Sequence, residues 1–153
     1  MYSVDLKHAF IGIGSNLDSP ITQVRGAIED IKSHNKIKLL KSSSLYKSKP
    51  VGPQDQDDFI NAVVKIATTL SPLQLLGELQ KIEYLHHRKR LKKWGPRSLD
   101  LDILMFENTV MRTKKLTLPH PEISRRDFVI VPLLEITHKN LVITKNKKLR
   151  DYL

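Results

Sequence analysis

The order of the apolar segments is the feature that most constrains the fold of this chain. Four segments have the composition of strands; three of them are mainly apolar, and the second has a polar centre. Two longer segments repeat their apolar residues at the spacing of an amphipathic helix. The predicted order is therefore strand, helix, strand, strand, helix, strand, with strands at 8–14, 36–46, 59–69 and 98–106 and helices at 21–31 and 73–85.

The starts of the two predicted helices carry helix-initiating residues. Ser15, Asn16 and Asp18 offer capping oxygens before the first helix, and Pro20 suits its first turn. The pair Ser71-Pro72 opens the second helix in the same way. This arrangement predicts an α+β fold of the ferredoxin-like type, an α/β sandwich in which helices pack on an antiparallel sheet.

Length and composition indicate one globular domain over residues 1–153. A chain of this length buries enough surface to fold without disulfides, and it contains no cysteine. No apolar run approaches the ~18 residues of a membrane span, and the first ten residues lack a signal-peptide core. We therefore expect a cytoplasmic monomer that does not bind membranes.

The positive charge of the chain indicates an anionic partner. The formal net charge is +10, and one dense basic block spans 86–97. Either a nucleotide or a nucleic acid would satisfy such a charge. A second basic block near residues 145–150 is interpreted as a solvated surface.

Asp100 and Asp102 form the most specific local feature. Side chains two residues apart on a strand point to the same face, so these carboxylates stand together. Paired carboxylates are typical ligands of Mg²⁺, although two acids on a solvated strand face would give the same pattern. The neighbouring basic block favours the first interpretation, because metal-binding acids beside phosphate-binding cations are the recurring parts of phosphoryl transfer.

Other catalytic patterns are weak or missing. The chain has no GxxxxGK[ST] phosphate loop and no GxSxG elbow. Gly12 and Gly14 are interpreted as backbone requirements at a strand end. A long loop at 47–57 contains two prolines and has the length of a functional loop. His120, between two prolines and close to Arg125 and Arg126, is a candidate phosphate contact.

Four segments, in order, resemble the 6-hydroxymethyl-7,8-dihydropterin pyrophosphokinase family. They are IGIGSNL at 11–17, SSSLYKSKPVGPQDQDDFINAV at 42–63, KKWGPRSLDLDIL at 92–104 and LPHPEISRRDFVIVPLLEI at 118–136. The resemblance implies transfer of the β,γ-pyrophosphoryl unit of ATP to the pterin hydroxymethyl group, with release of AMP. It also implies two Mg²⁺ ions bound by Asp100 and Asp102, and ATP and the pterin as the only partners.

The resemblance also assigns roles to individual residues. The implied catalytic residues are Arg88, Arg97, Asp100 and Asp102. The implied nucleotide-site residues are Glu83, Arg90, Trp94, Ile103, His120 and Arg126. The implied pterin-site residues are Ser48, Val51, Phe59, Asn61 and Phe128, in which Asn61 would pair with the ring edge and the phenylalanines would stack on its faces.

Two alternatives remain open at this point. A ferredoxin-like RNA-binding module would also be basic, although the aromatic RNA-binding strand motif is missing. A noncatalytic nucleotide sensor would keep the same site without turnover, although the expected catalytic positions are filled.

Overall fold

The computed structural model describes residues 5–17, 19–49, 58–87, 99–121, 123, 127–144 and 147–153. The helices are α1 (Pro20–Ser33), α2 (Pro72–His87) and α3 (Asp127–Ile136), with a 3-10 helix at Leu149–Tyr152. The strands are β1 (Lys7–Ser15), β2 (Ile37–Ser42), β3 (Tyr46–Ser48), β4 (Phe59–Thr68), β5 (Asp100–Phe106), β6 (Met111–Arg112), β7 (Thr117–Leu118), β8 (Val142–Thr144) and β9 (Lys147–Lys148).

The main sheet confirms the predicted ferredoxin-like arrangement. Its strand order is β2-β4-β1-β5, β3 also pairs with β4, and these pairs are antiparallel. β1 and β4 occupy the centre, and β5 lies at one edge of this order. Within the described ranges, no helix is both long enough and apolar enough to cross a bilayer.

The predicted single strand at 36–46 is wrong, because the chain forms β2 and β3 with a break between them. The backbone N–H of Ser43 donates to Val63 O at 2.9 Å, while the Val63 N–H donates to Ser43 Oγ at 2.9 Å. The serine hydroxyl thus takes a position that a backbone carbonyl would hold in a continuous ladder. Serine side chains compete with the backbone in this way, and the polar centre of the segment therefore interrupts the strand.

Both predicted helix starts are correct, but only the second helix has the predicted cap. Ser71 and Gln74 exchange hydrogen bonds between side chain and backbone at 3.2 and 2.9 Å, and α2 begins at Pro72 as predicted. α1 also begins at Pro20, but its N-cap is Ser19, which has φ 61° and makes no capping bond with its side chain. The capping role predicted for Ser15 and Asn16 is wrong, and Asp18 lies outside the described residues.

Two hydrophobic cores lie on opposite faces of the sheet. α1 and α2 cover one face, where alternate residues of the central strands, such as Ile11 and Val64, are fully buried. α3 covers part of the other face and packs on Phe10, Val63 and Leu104. The apolar residues at 128–136 therefore belong to a helix, α3. The sheet face beside the first turn of α3 is left uncovered and forms a cleft.

Candidate active site

A cleft opens on the α3 side of the sheet, and its floor is formed by the three strands β4, β1 and β5. Its volume is about 320 Å³, and we refer to it as the sheet cleft. Its lining residues are Gly12, Ile13, Gly14, Lys49, Phe59, Asn61, Ala62, Val63, Asp100, Asp102, Leu104, His120, Phe128 and Val129.

The strand register explains why this face is hollow. Gly14 is paired with Asn61 on one side and with Asp100 on the other. Gly12 is paired with Val63 and Asp102 in the same way. The central strand therefore places no side chain between the polar residues of its neighbours. The two glycines, interpreted from the sequence as strand-end requirements, form the floor of the cleft instead.

Asn61 is held in a defined orientation beside this floor. It is 4% exposed, and its Nδ2 donates to Ser48 Oγ at 2.7 Å. A Cβ atom added to Gly14 would lie 3.3 Å from Asn61 Oδ1, so the amide oxygen faces the glycine. A flat ligand on the floor would meet the amide oxygen of Asn61 as an acceptor, because the amide nitrogen is already bonded to Ser48 of β3.

Asp100 and Asp102 stand on the same face of β5, as predicted, and both line the sheet cleft. The side chain of Asp102 is 50% exposed, and its Oδ1 lies 4.0 Å from Nε2 of His120. The backbone N–H of His120 donates to Leu104 O at 2.8 Å, which fixes the histidine beside β5. Two accessible carboxylate groups on one face fit Mg²⁺, which takes one or two carboxylates and completes its shell with water and phosphate oxygens.

A second cleft of about 240 Å³ lies on the other side of Asp102, against the β6–β7 hairpin. We refer to it as the hairpin cleft. Asp102 and His120 line both clefts, so they stand at the junction between them. The remaining lining residues of the hairpin cleft are Leu76, Leu101, Ile103, Thr113, Lys114, Lys115, Leu116, Thr117 and Pro121.

The structure brings together most of the described residues that the sequence singled out. Phe59, Asn61 and Phe128 line the sheet cleft, Ser48 holds Asn61, and Ile103 lines the hairpin cleft although it is almost wholly buried. Glu83 lines neither cleft and lies behind β5. Val51, Arg88, Arg90, Trp94, Arg97 and Arg126 lie outside the described residues.

Several lining residues were missed by sequence reasoning. Lys49 and Val129 contribute to the sheet cleft, and Lys114 and Lys115 contribute to the hairpin cleft. The adjacent lysines Lys114 and Lys115, which lie between β6 and β7, were the one signal in the sequence that could have identified the hairpin cleft. The glycine floor could have been suspected from two glycines spaced two apart on a predicted strand.

A carboxylate on α3 fastens that helix to the strand that carries Ser48. Glu135 accepts hydrogen bonds from the Ser44 backbone N–H at 2.9 Å, from the Ser44 hydroxyl at 3.0 Å and from the Tyr46 hydroxyl. The bond from Tyr46, followed by those from Ser44, lowers the pKa of Glu135, and the same bond raises the pKa of Tyr46.

These bonds predict a pH-dependent contribution to stability. Because the folded-state pKa of Glu135 is lowered, the stabilisation is present above the unfolded pKa and is lost as pH falls through the folded pKa. Because Glu135 is exposed and solvent screens its charge, we expect Glu135→Gln to lower the free energy of unfolding by only about 0.5 kcal/mol at pH 7. Urea unfolding should show that difference shrinking below the ordinary glutamate pKa. As a control, Glu29→Gln at an exposed position of α1 should change the free energy of unfolding at pH 7 by less than about 0.5 kcal/mol. A difference that stayed constant down to pH 3 would contradict the assignment.

Comparison with known proteins identifies clear relatives. The family model of 7,8-dihydro-6-hydroxymethylpterin-pyrophosphokinase matches residues 10–138. The 2-amino-4-hydroxy-6-hydroxymethyldihydropteridine pyrophosphokinase of Haemophilus influenzae is 52% identical over 128 residues, covering 84% of this chain and 80% of that protein. The protein of the same name from Aquifex aeolicus is 39% identical over 143 residues, covering 94% and 88%.

Solved structures share the fold at low sequence identity. The HPPK-DHPS of Plasmodium falciparum, crystallised with pteroate, superimposes with a TM-score of 0.76 at 14% identity. The match covers 99% of this chain and 42% of that one, so this chain spans less than half of the two-part protein.

Proposed function

Because the chain belongs to the 7,8-dihydro-6-hydroxymethylpterin-pyrophosphokinase family, we propose that the sheet cleft binds the pterin and the hairpin cleft binds ATP. The reaction transfers a pyrophosphoryl group from ATP to 6-hydroxymethyl-7,8-dihydropterin in folate biosynthesis and gives the pterin diphosphate and AMP. The observation that carries the assignment of sites is that Asp102 and His120 line both clefts, so substrates bound in them would meet at the carboxylate pair.

The sheet cleft has the chemistry that a pterin requires. Asn61 offers an oriented amide to the donor and acceptor edge of the ring. Phe128 and Phe59 line the cleft and offer aromatic surfaces on which a flat ring can stack. The glycine floor admits such a ring against the backbone of β1. Ser48 supports the site by holding Asn61 rather than by lining the cleft.

The hairpin cleft has the chemistry that a nucleotide requires. Leu76, Ile103 and Leu116 supply apolar surface for a base, and Lys114 and Lys115 supply positive charge. A triphosphate extending from this cleft would pass His120 and reach Asp102. Arg88, Arg90, Trp94, Arg97 and Arg126, which the family pattern places at the nucleotide and phosphate, are proposed to complete the site from outside the described residues.

Catalysis then depends on positioning and on charge. The pterin hydroxyl oxygen forms a bond to the β-phosphorus, the bond between that phosphorus and the oxygen bridging to the α-phosphate breaks, and the hydroxyl proton leaves to solvent. Bound Mg²⁺ would neutralise the triphosphate, and Asp100 and Asp102 would hold it; we propose two ions, as in the family. The described residues provide the orientation, because Asn61 fixes the pterin and the junction at Asp102 fixes where the two substrates meet.

Formation of AMP tests this function directly. We expect AMP from ATP only when both 6-hydroxymethyl-7,8-dihydropterin and Mg²⁺ are present, and no AMP when EDTA replaces the metal. Binding of both substrates without AMP formation would favour a nucleotide sensor. Salt-dependent retention of RNA without binding of either substrate would favour the RNA-binding alternative, which the family match does not support.

The glycine floor leads to a prediction about substrate selectivity. A Cβ at position 14 would press on Asn61 Oδ1 from 3.3 Å, so Gly14→Ala should displace the amide that recognises the pterin. We expect KM for the pterin to rise about tenfold, the equivalent of one lost hydrogen bond, with KM for ATP nearly unchanged. Steady-state kinetics with each substrate varied in turn measures both values.

A matched glycine on α2 provides the control. A Cβ added to Gly77 meets no atom within 4 Å, and alanine is favoured over glycine inside a helix. Gly77→Ala should leave both KM values unchanged and raise the free energy of unfolding by about 0.8 kcal/mol. If Gly14→Ala raised KM for ATP as much as KM for the pterin, the floor would not be specific to the pterin site.

A further inference from the structure

A buried carboxylate interrupts the apolar face with which α2 packs on the sheet. Leu75 and Leu79 are fully buried one helical turn apart, and the next residue on this line is Glu83, which is 9% exposed. Spacing alone would predict another leucine at this position. A charged group in such a place is costly unless it is hydrogen-bonded, so its partner indicates its purpose.

One partner of Glu83 is the backbone amide of Leu101, the residue between the two site aspartates. Glu83 Oε2 accepts a hydrogen bond from the backbone N–H of Leu101 at 2.9 Å. Leu101 is buried and stands between Asp100 and Asp102, whose side chains point to the opposite face into the sheet cleft. Glu83 therefore holds the strand from behind at the residue that separates the two carboxylates.

The place of β5 in the sheet explains why this support is needed. β5 lies at the edge of the sheet order and pairs with β1 alone among the described strands. Among the residues that the structure describes, no second strand pairs with the outer edge of β5, and its register with β1 shifts between Phe10 and Ile11. Without a partner on α2, the end that carries the aspartates would be held on one side only.

We propose that Glu83 is a positioning residue that fixes the Asp100–Asp102 pair through the Leu101 amide. This rests on the proposed function, in which that pair holds the metal of the triphosphate. In this role Glu83 supplies an acceptor oxygen at the end of a side chain that is long enough to meet the Leu101 N–H. Its reach matters for this role and its negative charge does not.

Three variants at one position separate reach from charge. Glu83→Gln keeps the length and a carbonyl acceptor, Glu83→Asp keeps the charge but withdraws the acceptor by one methylene, and Glu83→Ala removes both. Glu78→Ala is the control, because Glu78 is also on α2 but pairs with His34 at 3.3 Å and Lys81 at 2.8 Å instead of β5. Supporting residues behind metal ligands typically change metal affinity about 10- to 100-fold.

Two readouts test the proposal. The first is NMR hydrogen exchange of the Leu101 amide in the enzyme without substrates. The second is the affinity for Mn²⁺ in the presence of a non-hydrolysable ATP analogue, measured by electron paramagnetic resonance. We expect Glu83→Asp and Glu83→Ala to speed Leu101 exchange and weaken Mn²⁺ binding about tenfold or more. We expect Glu83→Gln to stay within about threefold of the wild type in both, and Glu78→Ala to match the wild type.

The outcomes separate this proposal from the proposed function. If Glu83→Asp behaved like the wild type while Glu83→Gln lost Mn²⁺ binding, charge would matter instead of reach and the positioning role would be overturned. Unchanged Leu101 exchange in Glu83→Asp would overturn it as well. If Glu83→Ala fails to fold, the Asp and Gln variants still decide. Absence of AMP formation by the wild type would contradict the proposed function alone, because Leu101 exchange is measured without turnover.

Discussion

Replacing either aspartate of β5 by alanine is expected to abolish nearly all turnover while the fold remains. Asp100 and Asp102 are the paired carboxylates of the sheet cleft, and the proposed reaction relies on charge neutralisation of a triphosphate at this point. We expect kcat to fall about a thousandfold or more in Asp100→Ala and in Asp102→Ala. Because the Asp102 side chain is half exposed, the free energy of unfolding of Asp102→Ala should change by less than about 0.5 kcal/mol.

A nearby carboxylate outside the site is the control for this experiment. Asp58 precedes β4 and forms an exposed ion pair with Lys47 at 3.3 Å. Such pairs contribute little to stability, so Asp58→Ala should keep both fold and activity. The measurement is single-turnover AMP formation at saturating Mg²⁺ and both substrates, with circular dichroism to confirm folding. Near-normal turnover in either site variant would refute the metal assignment.

The second large effect is expected at Asn61. This side chain is almost wholly buried, and its amide nitrogen is fixed by Ser48. A site built to hydrogen-bond one ligand leaves that ligand's polar edge unpaired when the amide is removed. We expect Asn61→Ala to weaken pterin binding about 100-fold and to change binding of a non-hydrolysable ATP analogue by less than about threefold. Calorimetry with each ligand alone measures both affinities.

Ser48→Ala provides a graded comparison for Asn61. Without the Ser48 hydroxyl the amide remains but loses its orientation, so pterin binding should weaken about tenfold. Equal losses for the pterin and the ATP analogue in Asn61→Ala would contradict the role given to this residue. A larger loss in Ser48→Ala than in Asn61→Ala would mean that Ser48 itself contacts the ligand.

The sequence predicted those parts of the fold that depend on local pattern. The apolar periods identified the helices that became α1 and α2, and Ser71-Pro72 identified the start of α2. The break between β2 and β3 was not predicted, because it depends on Val63 donating to the Ser43 hydroxyl from a strand 20 residues away. A tertiary hydrogen bond of this kind leaves no periodic signal in the sequence.

The site could be predicted where side-chain chemistry is strong at short spacing. Asp100 and Asp102 satisfy this condition, and the strand period alone places them on one face. The floor formed by Gly12 and Gly14 depends on the register between three strands, which no local pattern fixes. The contact between Glu83 and Leu101 could not be predicted for the same reason, because it joins a helix to an edge strand.

Phosphorus NMR of a complete reaction is the most direct test of the central claim, that a pyrophosphoryl unit passes between two clefts that meet at Asp102. With ATP, Mg²⁺ and 6-hydroxymethyl-7,8-dihydropterin, we predict that AMP and a pterin diphosphate accumulate in equal amounts, with the β- and γ-phosphates transferred together. Formation of ADP with a pterin monophosphate, or of ADP with free phosphate, would contradict the account, because the attack would then fall on the γ-phosphorus.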